Sequence, residues 1–335
     1  MLDFYSLFKV FMKLVLRLYF RKIKIEGREN VPLNTPLIVT PNHQNAFLDA
    51  LLVGAFIPIS LHYLTRSDVF TWWSKPFLRL MNMTPIYRIR DGYAKLSLND
   101  SVFEGCQELF SKEGSVLIFA EGNHGKHYYL RPLTKGAARL ALQSQEAMDK
   151  DLMVLPVGLN YFDHQAPKST VLISFGKPIP VNEYIEEYRK NQAKGLIKMR
   201  DAISAGMKES LVIPEETPNY DKRSKTIFQE SHEDKSFQEL RSVDPSLEIP
   251  RAQKKRKRHV LAWLLNPLPL YIIHRIIRDI DDVVFHSSLK FGIGLFVFPL
   301  WWLLIFWIMF FSVGINIALL TVIVMVFGLF YSYQR

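Results

Sequence analysis

The chain has 335 residues, of which 49% are hydrophobic and 22% are charged, a balance that excludes a disordered or collagen-like protein. Its formal net charge of +10 predicts an anionic partner, such as a nucleic acid, an anionic membrane surface or a phosphorylated substrate. The single cysteine, Cys106, excludes an internal disulfide and a zinc cluster built on several cysteines.

Residues 1–30 have the pattern of a cationic amphipathic helix. Lys9, Lys13, Arg17 and Arg21 recur every four residues and therefore share one helix face, beside an apolar face. The region lacks an uncharged stretch of spanning length and a small-residue cleavage site, which argues against a signal peptide. The pattern favours a helix that lies in the membrane interface, and a soluble helix packed on the following domain is the alternative.

Residues 31–213 predict an α/β domain. Short apolar runs bounded by turn residues predict buried strands over 35–40, 115–119, 153–157 and 170–175. Helical patterns lie over 46–56, 72–80, 95–109, 135–147 and 181–211. This alternation predicts a mostly parallel sheet flanked by helices.

The chain after the α/β domain divides into a polar part and an apolar part. Residues 214–258 are polar and punctuated by prolines, and they end in a basic run, which predicts a partly disordered linker. Residues 259–282 regain apolar character and predict a membrane-adjacent helix.

Residues 291–334 contain no Asp, Glu, Lys, Arg or His. As one helix this segment would be about 66 Å long, roughly twice the thickness of a bilayer core. Gly314 and Asn316 interrupt it near the middle. We therefore predict a transmembrane hairpin with spans over 291–311 and 315–331, and a buried hairpin in a soluble core is the alternative.

Basic residues flank this hairpin at both ends. By the positive-inside rule, the run 251–258 and the final Arg335 predict that both termini and the active site face the cytoplasm. The basic run also predicts contact with anionic membrane lipids. A nuclear signal or a nucleic-acid patch is the alternative, but the run lacks interleaved aromatic residues, so we expect no nucleic-acid partner.

Chemistry-bearing residues follow the predicted strands, where open α/β sheets place their sites. The first strand runs into Asn42 and His43, and Asp49 follows six residues after the histidine. An imidazole can take a proton from a hydroxyl while a carboxylate holds its other nitrogen and fixes the tautomer. The pair predicts a general base, although Asp49 could also be a solvated helix residue.

A second group of polar residues surrounds this pair. Glu121 and Gly122 directly follow the second predicted strand, and the cations Lys126, Arg131 and Lys135 come after them. Upstream, Arg88 and Arg90 are two residues apart and would point the same way in an extended segment. Guanidinium forks suit phosphate oxygens, and a solvated strand edge is the alternative.

Four segments together resemble the glycerolipid acyltransferase family. They are NHQNAFLD at 42–49, TPIYRIRD at 84–91, FAEG at 119–122 and VLPVGLNYF at 154–162, in the family's order and within residues 35–180. The resemblance implies the α/β fold of that family. It also implies transfer of an acyl group from acyl-CoA or acyl-carrier protein to a glycerol-phosphate acceptor, without a metal or other cofactor.

The resemblance also implies roles for individual residues. His43 would be the base and Asp49 its partner, and 154–157 would form a wall for the acyl donor. The implied substrate-binding residues are Asn42, Arg88, Arg90, Glu121, Gly122 and Lys135. Direct attack by the acceptor needs no covalent acyl-enzyme, and the sequence has no G-x-S-x-G nucleophile elbow. Cys106 lies in a helical pattern and is predicted to be a core residue.

Two departures from the family pattern bear on the substrate. Five residues rather than four separate His43 from Asp49, so a loop or a π-bulge must absorb about 100° of helix rotation. This spacing resembles the fungal glycerol 3-phosphate/dihydroxyacetone phosphate branch and favours sn-1 acylation. The segment 123–125 lacks the usual third arginine, which Lys126, Arg131 or Lys135 could replace.

Several other functions are compatible with the same residues. The acceptor could be lysophosphatidic acid or the lyso form of an amino-acid lipid. A lipid hydrolase would use the same base to activate water. A non-catalytic membrane lipid-binding protein could keep the fold, although the retained His43, Asp49 and Glu121 argue against it.

Overall fold

The computed structural model describes residues 4–88, 92, 94, 97–244 and 259–332. Arg90, the basic run 251–258 and Arg335 lie outside the described residues. The strands are β1 (Lys22–Glu26), β2 (Leu37–Pro41), β3 (His62–Arg66), β4 (Met83–Ile86), β5 (Ser115–Leu117), β6 (Met153–Tyr161), β7 (Thr170–Phe175) and β8 (Ile179–Pro180).

Helices cover the sheet and continue beyond it to the end of the described chain. They are α1 (Phe4–Tyr19), α2 (Phe47–Phe56), α3 (Lys75–Leu80), α4 (Leu98–Ser111), α5 (Gly136–Glu146), α6 (Ile185–Lys190), α7 (Gln192–Glu209), α8 (Tyr220–Ile227), α9 (Phe237–Arg241), α10 (His259–Leu265), α11 (Pro267–Arg278), α12 (Val284–Val313) and α13 (Ile315–Ser332). Short 3-10 turns lie between some of these elements.

The strands form one sheet in the order β1-β7-β6-β2-β5-β3-β4, with β8 beside β6. The pairs are parallel except β6–β7 and β6–β8, which confirms the predicted mostly parallel sheet. Strands β1, β3, β4 and β8 were not predicted. The first three lie at or next to the edges of the sheet and carry polar residues, so they lack the continuous apolar run of a central strand. Strand β8 has only two residues, too few for a pattern.

The sheet is buried on both faces. Val39 and Leu155 point into a core shared with α1 and α2. Ile38 and Val154, one position away, point into a core shared with α4, α5 and α7. Successive strand residues alternate between faces, so helices flank the sheet on both sides, as predicted. Cys106 is buried in the second core, which confirms its prediction as a core residue.

Helix α1 packs on the domain core through Tyr5, Met12 and Leu16, which are buried, and its basic residues lie beside this contact. The Lys9 ammonium donates to the carbonyls of Ile57 and Ile59, both at 2.6 Å, and Lys13 and Arg17 lie over the ring of Phe56. Apolar side chains on the outer face are exposed, including those of Leu7, Val10 and Leu14. The helix therefore has one apolar face in the core and a second apolar stripe that faces outward. Residues 1–30 were predicted to form only a membrane-interface helix, but the first strand of the sheet, β1, lies within them.

The prediction of a partly disordered linker over 214–258 is wrong for its first part. Residues 214–244 contain α8 and α9, and α9 begins with a capping box between Ser236 and Glu239. Ile227 and Leu240 are fully buried against Phe162 and neighbouring residues. Single apolar residues, too widely spaced to give a helical period, hold this segment on the domain.

Helices α12 and α13 are long and apolar enough to cross a membrane, by length and composition. Gly314, at φ +92°, lies between them, as the sequence predicts. Large apolar side chains are exposed along both helices, such as Phe296, Phe311 and Phe327, which argues against the alternative of a buried soluble hairpin. Helix α12 begins at Val284, before the predicted span. The predicted membrane-adjacent segment forms α10 and α11.

Candidate active site

The site lies where neighbouring parallel strands end. His43 follows β2, Arg66 ends β3, Arg88 follows β4 and Glu121 follows β5. These strands are adjacent and parallel, so their carboxyl ends meet at one edge of the sheet. The topology therefore gathers residues from four separate segments of the sequence.

His43 and Asp49 form the predicted pair. The Nδ1 atom of His43 lies 2.9 Å from Oδ2 of Asp49. The imidazole stacks on the ring of Phe119, with a centroid distance of 3.8 Å. The carboxylate thus holds Nδ1–H, and the ring stacking fixes the plane. This arrangement leaves Nε2 as the basic nitrogen for proton transfer.

Asp49 is fully buried, and hydrogen bonds compensate for its burial. The backbone N–H groups of Gln44 and Asn45 donate to its Oδ2 at 2.8 and 2.7 Å. The phenol of Tyr161 donates to Oδ1 at 2.5 Å. Burial and the nearby carboxylate raise the pKa of Tyr161, so the phenol stays protonated as a donor. With the His43 ring, the carboxylate accepts four hydrogen bonds.

The loop before α2 absorbs the extra residue between His43 and Asp49. Helix α2 begins at Phe47, which places Asp49 in its first turn, while His43 stays outside the helix. Ala46 adopts φ +45° and ψ −131°, a conformation that is costly for a residue with a side chain. The spacing therefore needs no π-bulge, because a strained loop residue turns the chain instead.

Glu121 links His43 to a cation. Its Oε1 accepts from the backbone N–H of His43 at 2.7 Å. Its Oε2 lies 2.7 Å from Nε of Arg131. Burial raises the pKa of Glu121, and the guanidinium opposes this shift. Among the three cations that could replace the missing arginine, Arg131 is the one that contacts Glu121.

Gly122 allows the chain to turn at this edge. Its φ is +71°, and a Cβ atom there would lie 2.8 Å from Cγ2 of Thr134. Both the backbone conformation and the close approach therefore require glycine. Gly122 thus forms the turn that directly follows Glu121.

Two arginines lie beside one carboxylate at the ends of β3 and β4. Nε of Arg66 donates to Oδ1 of Asp68 at 2.6 Å, and the Arg88 guanidinium lies 3.6 Å from Oδ2 of the same residue. A cavity of about 430 Å³ lies next to them, lined partly by Asp68, Lys75 and Arg79. This part of the site is rich in positive charge, as a phosphate site requires. The companion arginine of the sequence prediction, Arg90, lies outside the described residues.

Three other parts of the sequence prediction lie elsewhere in the fold. The side-chain amide of Asn42 is buried and pairs with the backbone N–H and carbonyl of Leu159, so it holds the start of the loop 42–46, which carries His43, to β6. The segment 154–157 belongs to β6, and its side chains are buried in the core rather than forming a wall. Lys135 is exposed at the start of α5.

His124 connects the site to the C-terminal region. Its ring lies edge-on to His43, at a centroid distance of 5.7 Å, and also contacts Phe285. Burial lowers the pKa of His124, and positive neighbours such as Arg66 add to this effect, although Asp282 opposes it. A neutral ring near pH 7 makes its 3.7 Å approach to Asp282 a polar contact rather than a full ion pair.

Comparison with known proteins assigns a family to this arrangement. The model of the family described as Acyltransferase matches residues 22–160, a range that contains β1 to β5, almost all of β6, the histidine–aspartate pair and Glu121. Residues 22–160 are thus an acyltransferase-family domain. The resemblance carried by the four sequence segments is confirmed.

Relatives of this domain include proteins that are named for two different acceptors. The glycerol-3-phosphate O-acyltransferase 2 of Saccharomyces cerevisiae is 28% identical over 131 residues, covering 38% of this chain and 17% of that protein. The chloroplastic 1-acyl-sn-glycerol-3-phosphate acyltransferase of Arabidopsis thaliana is 30% identical over 134 residues, covering 38% and 35%. The chain thus spans well under half of either relative.

A solved structure is also similar. The 1-acyl-sn-glycerophosphate acyltransferase PlsC from Thermotoga maritima is 18% identical, with a TM-score of 0.37, and the match covers 59% of this chain and 90% of that one.

Sequence reasoning missed three residues of the site. Tyr161 lies near the end of the segment 154–162, but nothing in the surrounding sequence predicts that its side chain contacts Asp49. Arg66 lies on a strand that was not predicted. Ser288, which contacts Asn45 and Leu48, lies between the predicted membrane-adjacent segment 259–282 and the first predicted span, 291–311. Only Arg66 left a usable signal, as a cation at the end of a short β-branched and aromatic run.

Proposed function

We propose that this protein transfers a fatty acyl group from an acyl thioester to a hydroxyl of a glycerol-phosphate acceptor. The observation that carries the proposal is the His43–Asp49 pair, with a fully buried carboxylate held by Gln44, Asn45 and Tyr161. Such a pair orients a neutral imidazole as a general base. Acyl-CoA or acyl-carrier protein is the co-substrate, and the proposed steps need no metal or other cofactor.

The proposed reaction proceeds by direct attack. Nε2 of His43 takes the hydroxyl proton as the acceptor oxygen bonds to the thioester carbonyl carbon. The tetrahedral intermediate then collapses, the carbon–sulfur bond breaks, and the leaving thiolate takes the proton back from His43. The products are an ester and a free thiol. Burial raises the pKa of Cys106 to about 12, so it does not serve as a covalent nucleophile.

The basic edge of the site supports a phosphorylated acceptor. Arg66 and Arg88 flank Asp68, and Arg131 contacts Glu121 beside His43. A phosphate entering this edge would meet guanidinium groups suited to bind its oxygens. A hydrolase acting on water would have no use for these cations. We also assign Arg90 and Lys135 to acceptor binding, as the family resemblance implies.

We propose sn-1 acylation of glycerol 3-phosphate or dihydroxyacetone phosphate. The five-residue spacing between His43 and Asp49 and the similarity to a yeast protein named for glycerol 3-phosphate support this acceptor. Lysophosphatidic acid is the second candidate, because the similar Arabidopsis protein is named for 1-acyl-sn-glycerol 3-phosphate.

We propose that the reaction takes place at the cytoplasmic surface of a membrane. Helices α12 and α13 have the length and composition of a spanning hairpin, and α1 presents an outward apolar stripe. The indole of Trp72 is 90% exposed, as in side chains that lie among lipid headgroups. The basic run 251–258 would contact anionic lipids and favour the cytoplasmic side.

An acceptor panel tests the proposal. Membranes containing the full chain would receive radiolabelled acyl-CoA or acyl-carrier protein with glycerol 3-phosphate, dihydroxyacetone phosphate or lysophosphatidic acid. Product from either of the first two supports sn-1 acylation. Product from lysophosphatidic acid alone assigns the second candidate. Release of free fatty acid without acceptor supports hydrolysis, and absence of any product contradicts catalysis.

A further inference from the structure

The first turns of α12 are part of the folded domain rather than of the apolar hairpin. Val284, Ser287, Ser288 and Phe291 are buried, and Phe291 packs edge-on against Tyr19 of α1. Beyond this point the outer side chains become exposed, beginning with Phe296. One continuous helix therefore joins the domain core to the segment that we propose to span the membrane.

Ser288 directly binds the catalytic loop, by which we mean residues 42–46 together with the first residues of α2 that follow them. Its hydroxyl donates to the carbonyl of Asn45 and accepts from the backbone N–H of Leu48 at 3.2 Å. The next turn of α12 also faces the loop, because a Cβ atom at Gly292 would lie 3.1 Å from the ring of Phe47. The loop that carries the general base is thus held from outside by a helix more than two hundred residues later in the chain.

Asn45 connects Ser288 to the histidine–aspartate pair. The N–H of Asn45 donates to Oδ2 of Asp49 at 2.7 Å, the same oxygen that holds His43. Ala46, the next residue, has the strained conformation that absorbs the extra loop residue. A strained loop persists only when its surroundings over-determine it, and Ser288 binds the loop on both sides of Ala46.

We infer that Ser288 is a positioning residue for the general base. It fixes the loop between Asn45 and Leu48 so that Asp49 meets His43 at hydrogen-bond distance. Helix α12 thereby couples the proposed membrane hairpin to the catalytic pair. At about 1.5 Å of rise per residue, Phe296 lies about 12 Å along the helix from Ser288, so the base lies close to the first exposed apolar turn. This inference rests on the proposed acyl transfer.

Ser287 offers a matched control. It is buried one residue away, and its hydroxyl lies 2.8 Å from that of Tyr19 on α1 rather than against the catalytic loop. Ser288→Ala and Ser287→Ala each remove one buried hydroxyl from the same turn. A general loss of packing would affect both variants alike, whereas positioning would affect only the first.

The test measures kcat, both KM values and the thermal unfolding midpoint of the full chain in membranes or detergent. We expect Ser288→Ala to lower kcat about tenfold or more with both KM values within about twofold, because small misplacement of a catalytic group is costly. Ser287→Ala should keep the wild-type kcat. Ser288→Cys, which retains a weak donor of similar size, should give an intermediate kcat. This variant provides the test if Ser288→Ala does not fold.

Wild-type kcat in both Ser288 variants would overturn the inference, as would an equal loss in Ser287→Ala and Ser288→Ala. The wild type and His43→Ala are assayed in parallel. A wild type without acyl transfer contradicts the proposed function itself, so that failure is distinct from a failure of the positioning role.

Discussion

Asp49 is the residue on which the geometry of the site depends. Its carboxylate is removed from water yet accepts hydrogen bonds from a histidine, a phenol and two backbone amides. Each donor limits where the carboxylate can lie, so the imidazole inherits a fixed position and tautomer. The pair is therefore pre-organised before substrate arrives.

Tyr161→Phe tests this pre-organisation. The change keeps the buried ring but removes the donor to Oδ1 of Asp49, leaving a buried carboxylate oxygen short of one partner, a loss of about 1–3 kcal/mol. We expect kcat to fall about tenfold while both KM values stay within about twofold. Steady-state kinetics with wild type and variant provide the measurement.

Tyr5→Phe is the matched control for that change. Tyr5 is also buried and its hydroxyl bonds to Tyr63 and to the backbone of Leu61, away from Asp49. It should lose stability without losing kcat. A kcat for Tyr161→Phe equal to that of Tyr5→Phe would show that the phenol does not act through Asp49.

Arg88→Ala tests the assignment of the basic edge. Loss of the guanidinium removes a charge-assisted contact to the acceptor phosphate, so KM for the acceptor should rise about tenfold or more while KM for the acyl thioester stays unchanged. Arg139→Ala, at an exposed position of α5, is the control and should leave both values at wild type. A rise in the thioester KM instead would assign Arg88 to the donor.

At the scale of elements, α1 is attached to the domain through a partly buried cation. Burial lowers the pKa of Lys9 to about 8, and the charges of Lys13 and Arg28 add to the effect. The unfolded chain keeps this proton up to the ordinary value of 10.5. Between these values the unfolded state binds more protons than the folded state, so stability rises with pH.

The thermal unfolding midpoint measured from pH 8 to pH 10 checks this sign. The wild type should gain stability from Lys9 across that window relative to Lys9→Met, in which the titrating group is absent. Lys13→Met removes one of the charges that lower the pKa of Lys9, so it should show a smaller rise than the wild type but a larger one than Lys9→Met. Parallel profiles for wild type and Lys9→Met would contradict the shift.

The elements also explain what the sequence could predict. The central strands β2 and β6 are continuous apolar runs, and the pair His43 and Asp49 lies within one short segment, so both were predictable. Strand β3 has the mixed polarity of an edge-region strand. Tyr161 lies 112 residues from its partner Asp49 and Ser288 lies 243 residues from Asn45, and no local pattern encodes contacts of that range.

At the scale of the whole molecule, the catalytic edge of the sheet and the apolar hairpin are joined by one helix. Phe285 contacts His124 beside His43, Ser288 binds the catalytic loop, and the same helix then continues into exposed apolar turns. An acyl chain could remain in lipid while its thioester reaches the base.

The central claim is that His43 is the general base for acyl transfer. The most direct measurement compares acyl transfer by the wild type, His43→Ala and His274→Ala, each as the full chain in membranes with glycerol 3-phosphate and acyl-CoA. We predict that His43→Ala loses at least about 10²-fold in kcat and still folds, with an unfolding midpoint lowered about as much as that of Tyr161→Phe, because Asp49 loses one donor in each variant. His274→Ala, at an exposed position of α11, should keep wild-type activity. Acyl transfer by His43→Ala at the wild-type rate would contradict the account.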